Sequence, residues 1–118
     1  MIIDKDLACK CCGALPEQGI YQKLLDGLNL MSQIIDFHIE SGYRCAKHNA
    51  SVGGVKNSSH RYGFAVDLHP IPDGTVSDLA TATRGLFPRE GLGVYDWGIH
   101  VDTIPWPRPG MWNECQKK

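Results

Sequence analysis

Long apolar runs are missing from this sequence: its uninterrupted apolar stretches are a few residues long, against the roughly 20 that a bilayer-crossing helix needs. No integral membrane segment is therefore expected. Charge of one sign is missing too. Twelve Lys and Arg stand against thirteen Asp and Glu, for a formal net charge of -1. A nucleic-acid-binding face needs a basic patch to gather phosphates, so no nucleic-acid partner is expected. Residues Met1–Asp6 lack a basic segment followed by an apolar one and a cleavage site. They do not read as a secretory signal, and synthesis in the cytoplasm is expected. Repeats, low-complexity tracts and interdomain linkers are likewise absent. Hydrophobic residues at 42% and charged residues at 21% are ordinary globular usage, which argues against disorder. Residues 1–118 thus read as one domain, whose folding hides roughly 65% of the unfolded chain's surface. That suffices for one core without a second lobe, and a monomer is expected.

Cysteine, by contrast, is plentiful. Cys9, Cys11 and Cys12 cluster near the start, Cys45 stands mid-chain and Cys115 near the end. The odd count leaves at least one thiol unpaired in a monomer if the others form disulfides. The run Cys9-Lys10-Cys11-Cys12 lacks the spacing of a paired zinc knuckle, and a third cysteine interrupts what would be a redox C-x-x-C. A metal clip or disulfide near the termini, reduced thiols buried for packing, and reactive thiols all remain open.

The periodicities outline the elements. Ala14–Gly19 reads as a turn, since Pro16 lacks a donor and Gly19 favours unusual dihedrals. From Ile20 to about Glu40, apolar side chains at Tyr21, Leu24, Leu25, Leu28, Met31, Ile34, Ile35 and His38 recur every three or four residues, which predicts an amphipathic helix. Gly27 costs that helix about 1 kcal/mol against Ala. Gly42 fits a helix C-terminal cap. Residues 47–58 read as a loop of functional length, rich in Gly, Asn and Ser. Phe64, Val66 and Leu68 alternate with Ala65, Asp67 and His69, predicting a strand with Asp67 and His69 on one face. Pro70–Gly74 is a turn. Thr75 with Asp78 is a capping pair for a helix to about Arg84. A connector to Gly93 leads to a second strand region, Val94–Asp102, bent at Gly98, and an aromatic tail holds Trp106 and Trp112.

Two histidines and one aspartate stand out. His60 and Asp67 lie seven positions apart around Gly63, and His100 sits on the independent strand. Two imidazoles and a carboxylate fill three positions of a catalytic zinc site and leave the fourth for water, whose pKa the ion lowers. On spacing alone, ordinary core or surface roles for these residues compete with metal ligation. Two-histidine, one-carboxylate sets also hold iron in oxygenases, and oxygen-dependent activity would mark that alternative.

The surrounding motifs narrow the choice. SGYR at 41–44, HN at 48–49, VGG at 52–54, S-x-H-x-x-G-x-A-x-D at 58–67, G-x-G-x-Y at 91–95 and HVD at 100–102 resemble the zinc D-alanyl-D-alanine carboxypeptidase and peptidoglycan endopeptidase family, which includes phage endolysins. The resemblance covers most of the chain from about residue 20. It implies an α+β fold with an antiparallel-rich sheet packed against helices and an active-site cleft on the sheet. It also implies one catalytic zinc ion held by His60, Asp67 and His100. Arg44 matches the arginine that binds and polarises the substrate carbonyl, Ser58 a second substrate donor, and Gly63 and Ala65 small positions close to the site. The implied partner is a peptidoglycan peptide with D-residues near the cut, reached at the cell wall after phage-mediated release or by a host wall-trimming enzyme.

One position departs from the family pattern. Where several branches place an acid or histidine three residues before the last metal histidine, this chain has Trp97. Asp96 shares strand parity with His100 and is the expected general base, provided the chain turns near Gly98. Asp102 is its rival, and is equally suited to orient a ligand imidazole or fix Arg44. Without a productive base, the same triplet would define a non-catalytic, zinc-stabilised wall- or protein-binding module. His48 and His69, and the aromatics Tyr62, Tyr95, Trp97 and Trp106, are expected as polar or packing groups near the cleft.

Overall fold

The computed structural model describes residues 1–53, 59–103 and 111–113. Three helices, α1 (Gln22–Ser32), α2 (Ala46–Ser51) and α3 (Val76–Leu86), accompany five strands: β1 (Phe37–Ser41), β2 (Ala65–Pro70), β3 (Gly91–Val94), β4 (Ile99–Asp102) and β5 (Met111–Asn113). One-turn 3-10 helices span Asp4–Leu7 and Ser59–Tyr62. The strands form one sheet in the order β1-β2-β4-β3-β5, antiparallel except for the parallel β3–β5 pair. This is the α+β, antiparallel-rich architecture expected. No described helix is long and apolar enough to cross a membrane.

The core explains the layering. Leu24, Leu28 and Met31 of α1 and Leu79 of α3 are fully buried against Val66, Leu68, Leu92, Ile99 and Val101 of the sheet. Because strand side chains alternate between faces, this leaves Asp67, His100 and Asp102 on the opposite face. The α1 stripe has the expected spacing, and Gly27 serves it: a Cβ there would run into the Phe87 ring. The helical preference lost at Gly27 is therefore offset by packing of a large buried side chain.

Helix α1 stops at Ser32, well short of the predicted end near Glu40. Residues 31–39 carry two periods at once. Ile35, Phe37 and Ile39 alternate with Asp36, His38 and Glu40, and pairing of Phe37, His38 and Ile39 with β2 selects the strand reading. Ile34 is left 66% exposed, which no continuing apolar stripe would allow. The first part of the 47–58 loop is instead helical, in α2, which is capped by Cys45, whose sulfur accepts from the His48 N–H. Thr75 caps α3 as expected, accepting from Asp78 N at 3.0 Å, and the helix runs two residues past Arg84.

The predicted strand region Val94–Asp102, bent at Gly98, is the last residue of β3, a turn over residues 95–98 and then β4. Gly91–Val94 forms the preceding strand, and Tyr95 N donates to Gly98 O at 2.9 Å to close the reversal. Gly98 is required by space, since a Cβ would collide with the Leu68 carbonyl on β2.

Candidate metal centre

Sheet register brings the site together. Asp67 on β2 is the direct partner of His100 on β4, and Ala65 is the partner of Asp102. Across the other edge of β4, His100 faces Gly93 and Asp102 faces Gly91. The G-x-G of β3 thus places no side chain beside either residue, keeping that side of the sheet open. His60 arrives from the 3-10 turn before β2. Gly63, at φ +78°, redirects the chain from that turn into the strand, a conformation that glycine adopts without steric cost.

The polar atoms converge on one carboxylate. Asp67 Oδ1 lies 3.2 Å from His60 Nε2 and 2.8 Å from His100 Nδ1, and the three ligand atoms all fall within 4.8 Å of one another. The imidazole rings meet edge-on, with centroids 5.1 Å apart and planes at 65°. Asp67 is fully buried, His60 is 2% exposed and His100 is only partly buried, so the site is closed below and open at His100.

Hydrogen bonds to the far nitrogens set the tautomers. His60 Nδ1 donates to the Gly42 carbonyl at 2.7 Å, which turns the Nε2 lone pair toward Asp67. His100 Nε2 lies 3.4 Å from Asp102 Oδ2; donation there likewise turns the Nδ1 lone pair toward Asp67 Oδ1. Two nitrogen lone pairs and an anionic oxygen facing one another repel unless a proton or a metal cation lies among them. Burial lowers the His60 pKa, outweighing the carboxylate beside it, so a proton on His60 is a poor substitute for that cation. His100 behaves differently. Burial acts against its charge, but hydrogen bonds to Asp102 and Asp67 outweigh it and raise its pKa. Asp67 is also buried, yet hydrogen bonds and charge from the two histidines hold it far below the usual carboxylate range. The donor set and its fixed tautomers fit a divalent zinc ion.

Arg44 closes the back of the site. Its Nη2 donates to Asp67 Oδ2 at 3.1 Å, its Nε to Ser41 Oγ at 3.0 Å and its Nη1 to Asn49 Oδ1 at 3.4 Å. The residue is 4% exposed. Burial lowers its pKa while Asp67 opposes that shift, and a guanidinium keeps its charge in such a setting. By occupying Oδ2, Arg44 leaves Oδ1 to the histidines.

The structure thus brings together His60, Asp67, His100, Arg44 and Asp102. Asp102 meets the His100 imidazole, the first of the two contacts considered for it. Asp96 is not among these contacts. Residues 95–98 form a turn, so the strand-parity argument for Asp96 does not apply, and its side chain is exposed. None of the hydrogen bonds or ion pairs described above for the triad runs to it. Ser58, Trp106 and Cys115 lie outside the described residues. His69 pairs instead with Glu40 at 3.5 Å and stacks on His38, and His48 does not join the triad. Tyr95 and Trp97 stack on each other at the turn, centroids 5.2 Å apart. The sequence reading missed the Gly42 carbonyl and Asn49 as supports. Asn49 falls within a motif already quoted, but a backbone acceptor leaves no mark in residue types.

An α+β sheet with two imidazoles and a carboxylate gathered on its open face is the arrangement of a metal-dependent enzyme, with a donor set that zinc hydrolases use. The peptidase M15 family model matches residues 4–102, and the chain belongs to this family of zinc metallopeptidases. No curated protein matches the chain.

Proposed function

We propose that this peptidase hydrolyses an amide bond in bacterial peptidoglycan stem or cross-link peptides, with His60, Asp67 and His100 holding one catalytic zinc ion. The supporting observation is the convergence of three ligand atoms on the open face of the sheet in a member of the M15 family. Bound there, zinc supplies Lewis acidity that lowers the pKa of water and polarises a carbonyl. The protein's own groups do the rest. Gly42 O and Asp102 hold the two imidazoles in their ligating tautomers, and Arg44 orients Asp67. Arg44 has N–H groups beyond the three engaged with protein, and these are assigned to the substrate carbonyl, where they meet developing negative charge. Ser58 is assigned as a further substrate donor.

The proton released from water goes to a carboxylate that returns it to the leaving amine. Asp96 is the residue proposed for this role, as the exposed carboxylate on the turn that leads into the His100 strand, whereas Asp102 is committed to His100. Asp96→Asn is expected to retain zinc and lose most hydrolysis. Asp102→Asn is expected to weaken zinc binding about 10–100-fold, as loss of a carboxylate behind a ligand imidazole does. Wild-type turnover in Asp96→Asn would move the base elsewhere. The protein is proposed to act as a monomer at the cell wall, after phage-mediated release or in host wall trimming.

That none of the contacts described for the triad reaches Asp96 favours one second reading, a non-catalytic zinc-stabilised module that binds wall peptide or protein. Incubation of the zinc-loaded protein with defined muropeptides, followed by mass analysis, separates the two. Loss of a terminal D-alanine identifies a carboxypeptidase, and two peptide fragments an endopeptidase. Retention of intact peptide with measurable binding selects the module.

A further inference from the structure

A second sulfur-rich constellation lies outside the histidine–aspartate site. Cys9, Cys11, Cys12 and Cys45 place their four sulfurs within 4.8 Å of one another. Cys11 Sγ is 3.5 Å from Cys9 Sγ and also 3.5 Å from Cys45 Sγ. A sulfur equidistant from two others is not the pattern of one disulfide, which joins a single pair. It is the pattern of ligands around a common centre. In a tetrahedral zinc site with Zn–S of about 2.3 Å, sulfurs stand about 3.8 Å apart, close to the spacings here.

The backbone is arranged for charged sulfur. Cys45 N donates to Cys9 Sγ at 3.5 Å and His48 N donates to Cys45 Sγ at 3.4 Å. The local chain is shaped to match: Cys9 N donates to Ala14 O at 2.9 Å and Gly13 N to Cys9 O at 2.7 Å, folding the three neighbouring cysteines into one tight loop.

We propose that Cys9, Cys11, Cys12 and Cys45 form a second, closed zinc site whose role is structural. All four positions are filled by protein, so no water is activated there. Each thiol gives up its proton when the ion binds, and no oxidant or reductant is involved. The site clamps the N-terminal loop to the segment that serves the catalytic centre. Gly42 O holds His60, Tyr43 N donates to Leu7 O at 2.8 Å, Arg44 holds Asp67, and Cys45 follows directly. The ion thus positions Arg44 and His60 through four consecutive residues.

The test uses metal content and spectroscopy, which do not depend on hydrolysis. The His60→Ala variant, purified and passed through a desalting column, is expected to retain one zinc per chain, with wild type holding two. Cobalt(II)-substituted wild type is expected to show thiolate-to-cobalt charge-transfer absorption, which nitrogen and oxygen ligands do not produce. Cys11→Ser is expected to lower that absorption and make the remaining clustered thiols more reactive toward a thiol reagent. Should Cys11→Ser fail to fold, the wild-type cobalt spectrum and the protection of four of its five thiols until a strong chelator is added decide the matter. The proposal is overturned by immediate reaction of all thiols in metal-loaded wild type. A wild-type mass lower by two or four hydrogens, indicating disulfides, overturns it equally. Failure of the muropeptide assay leaves these readouts unaffected.

Discussion

Replacing Arg44 with alanine tests whether this arginine builds the metal site as well as serving substrate. Its guanidinium is held by Asp67, Ser41 and Asn49 in a position 4% exposed. Removing one partner of a buried ion pair costs about 3–5 kcal/mol, because the other charge stays desolvated without compensation. Here the two histidines remain beside Asp67 Oδ1, which places the expected loss at the lower end, about 3 kcal/mol. For a chain of 118 residues each kcal/mol shifts the melting temperature by about 4 °C, so the metal-free variant should melt about 12 °C below wild type. The comparison is made in chelator, since a bound cation would itself neutralise Asp67 and mask the loss. Zinc affinity should fall about 10–100-fold as Asp67 loses its orientation. Arg44→Lys keeps the charge without the fork that reaches three acceptors, and should recover part of both effects. Melting within about 2 °C of wild type together with unchanged zinc affinity would show that Arg44 does not orient Asp67, and the account of the site given above would fail.

Three further outcomes are expected. His60→Ala should lower zinc content by one equivalent per chain in elemental analysis and abolish hydrolysis; full zinc content would remove His60 from the ligand set. Gly98→Ala should destabilise the protein by about 1–3 kcal/mol or more in urea unfolding, because the added methyl meets the Leu68 carbonyl and backbone must shift; a neutral substitution would mean the β2–β4 spacing is looser than described. In chelator, stability should peak near the ordinary histidine pKa. His60, with a lowered folded pKa, makes stability rise with pH up to that value, while His100, with a raised one, makes it fall as pH climbs through its own. Thermal unfolding from pH 5 to 9 checks this, and His100→Asn should flatten the alkaline limb.

Part of this architecture is legible residue by residue. Thr75 with Asp78 marks a helix start because capping is settled within four residues. Val66 and Leu68 alternating with Asp67 mark a strand for the same local reason. The end of α1 is not legible, since residues 31–39 satisfy helical and strand periods together and the pairing of β1 with β2 decides between them. Asp96 illustrates the same limit: parity along a strand points its carboxylate toward His100, but a turn at 95–98 cancels the parity.

His60, Asp67, His100 and Arg44 could be singled out from residue type and motif, because an imidazole, a carboxylate or a guanidinium carries its chemistry wherever the chain takes it. Distances and tautomers could not. Asp67 meets His100 through the β2–β4 register, and the His60 lone pair points inward because a carbonyl at Gly42 takes the opposite proton. Cys9 and Cys45, 36 positions apart, share a centre for a similar reason, as Leu7 pairs with Tyr43. These relations are made by backbone groups that every residue possesses, so only the tertiary structure decides which of them meet.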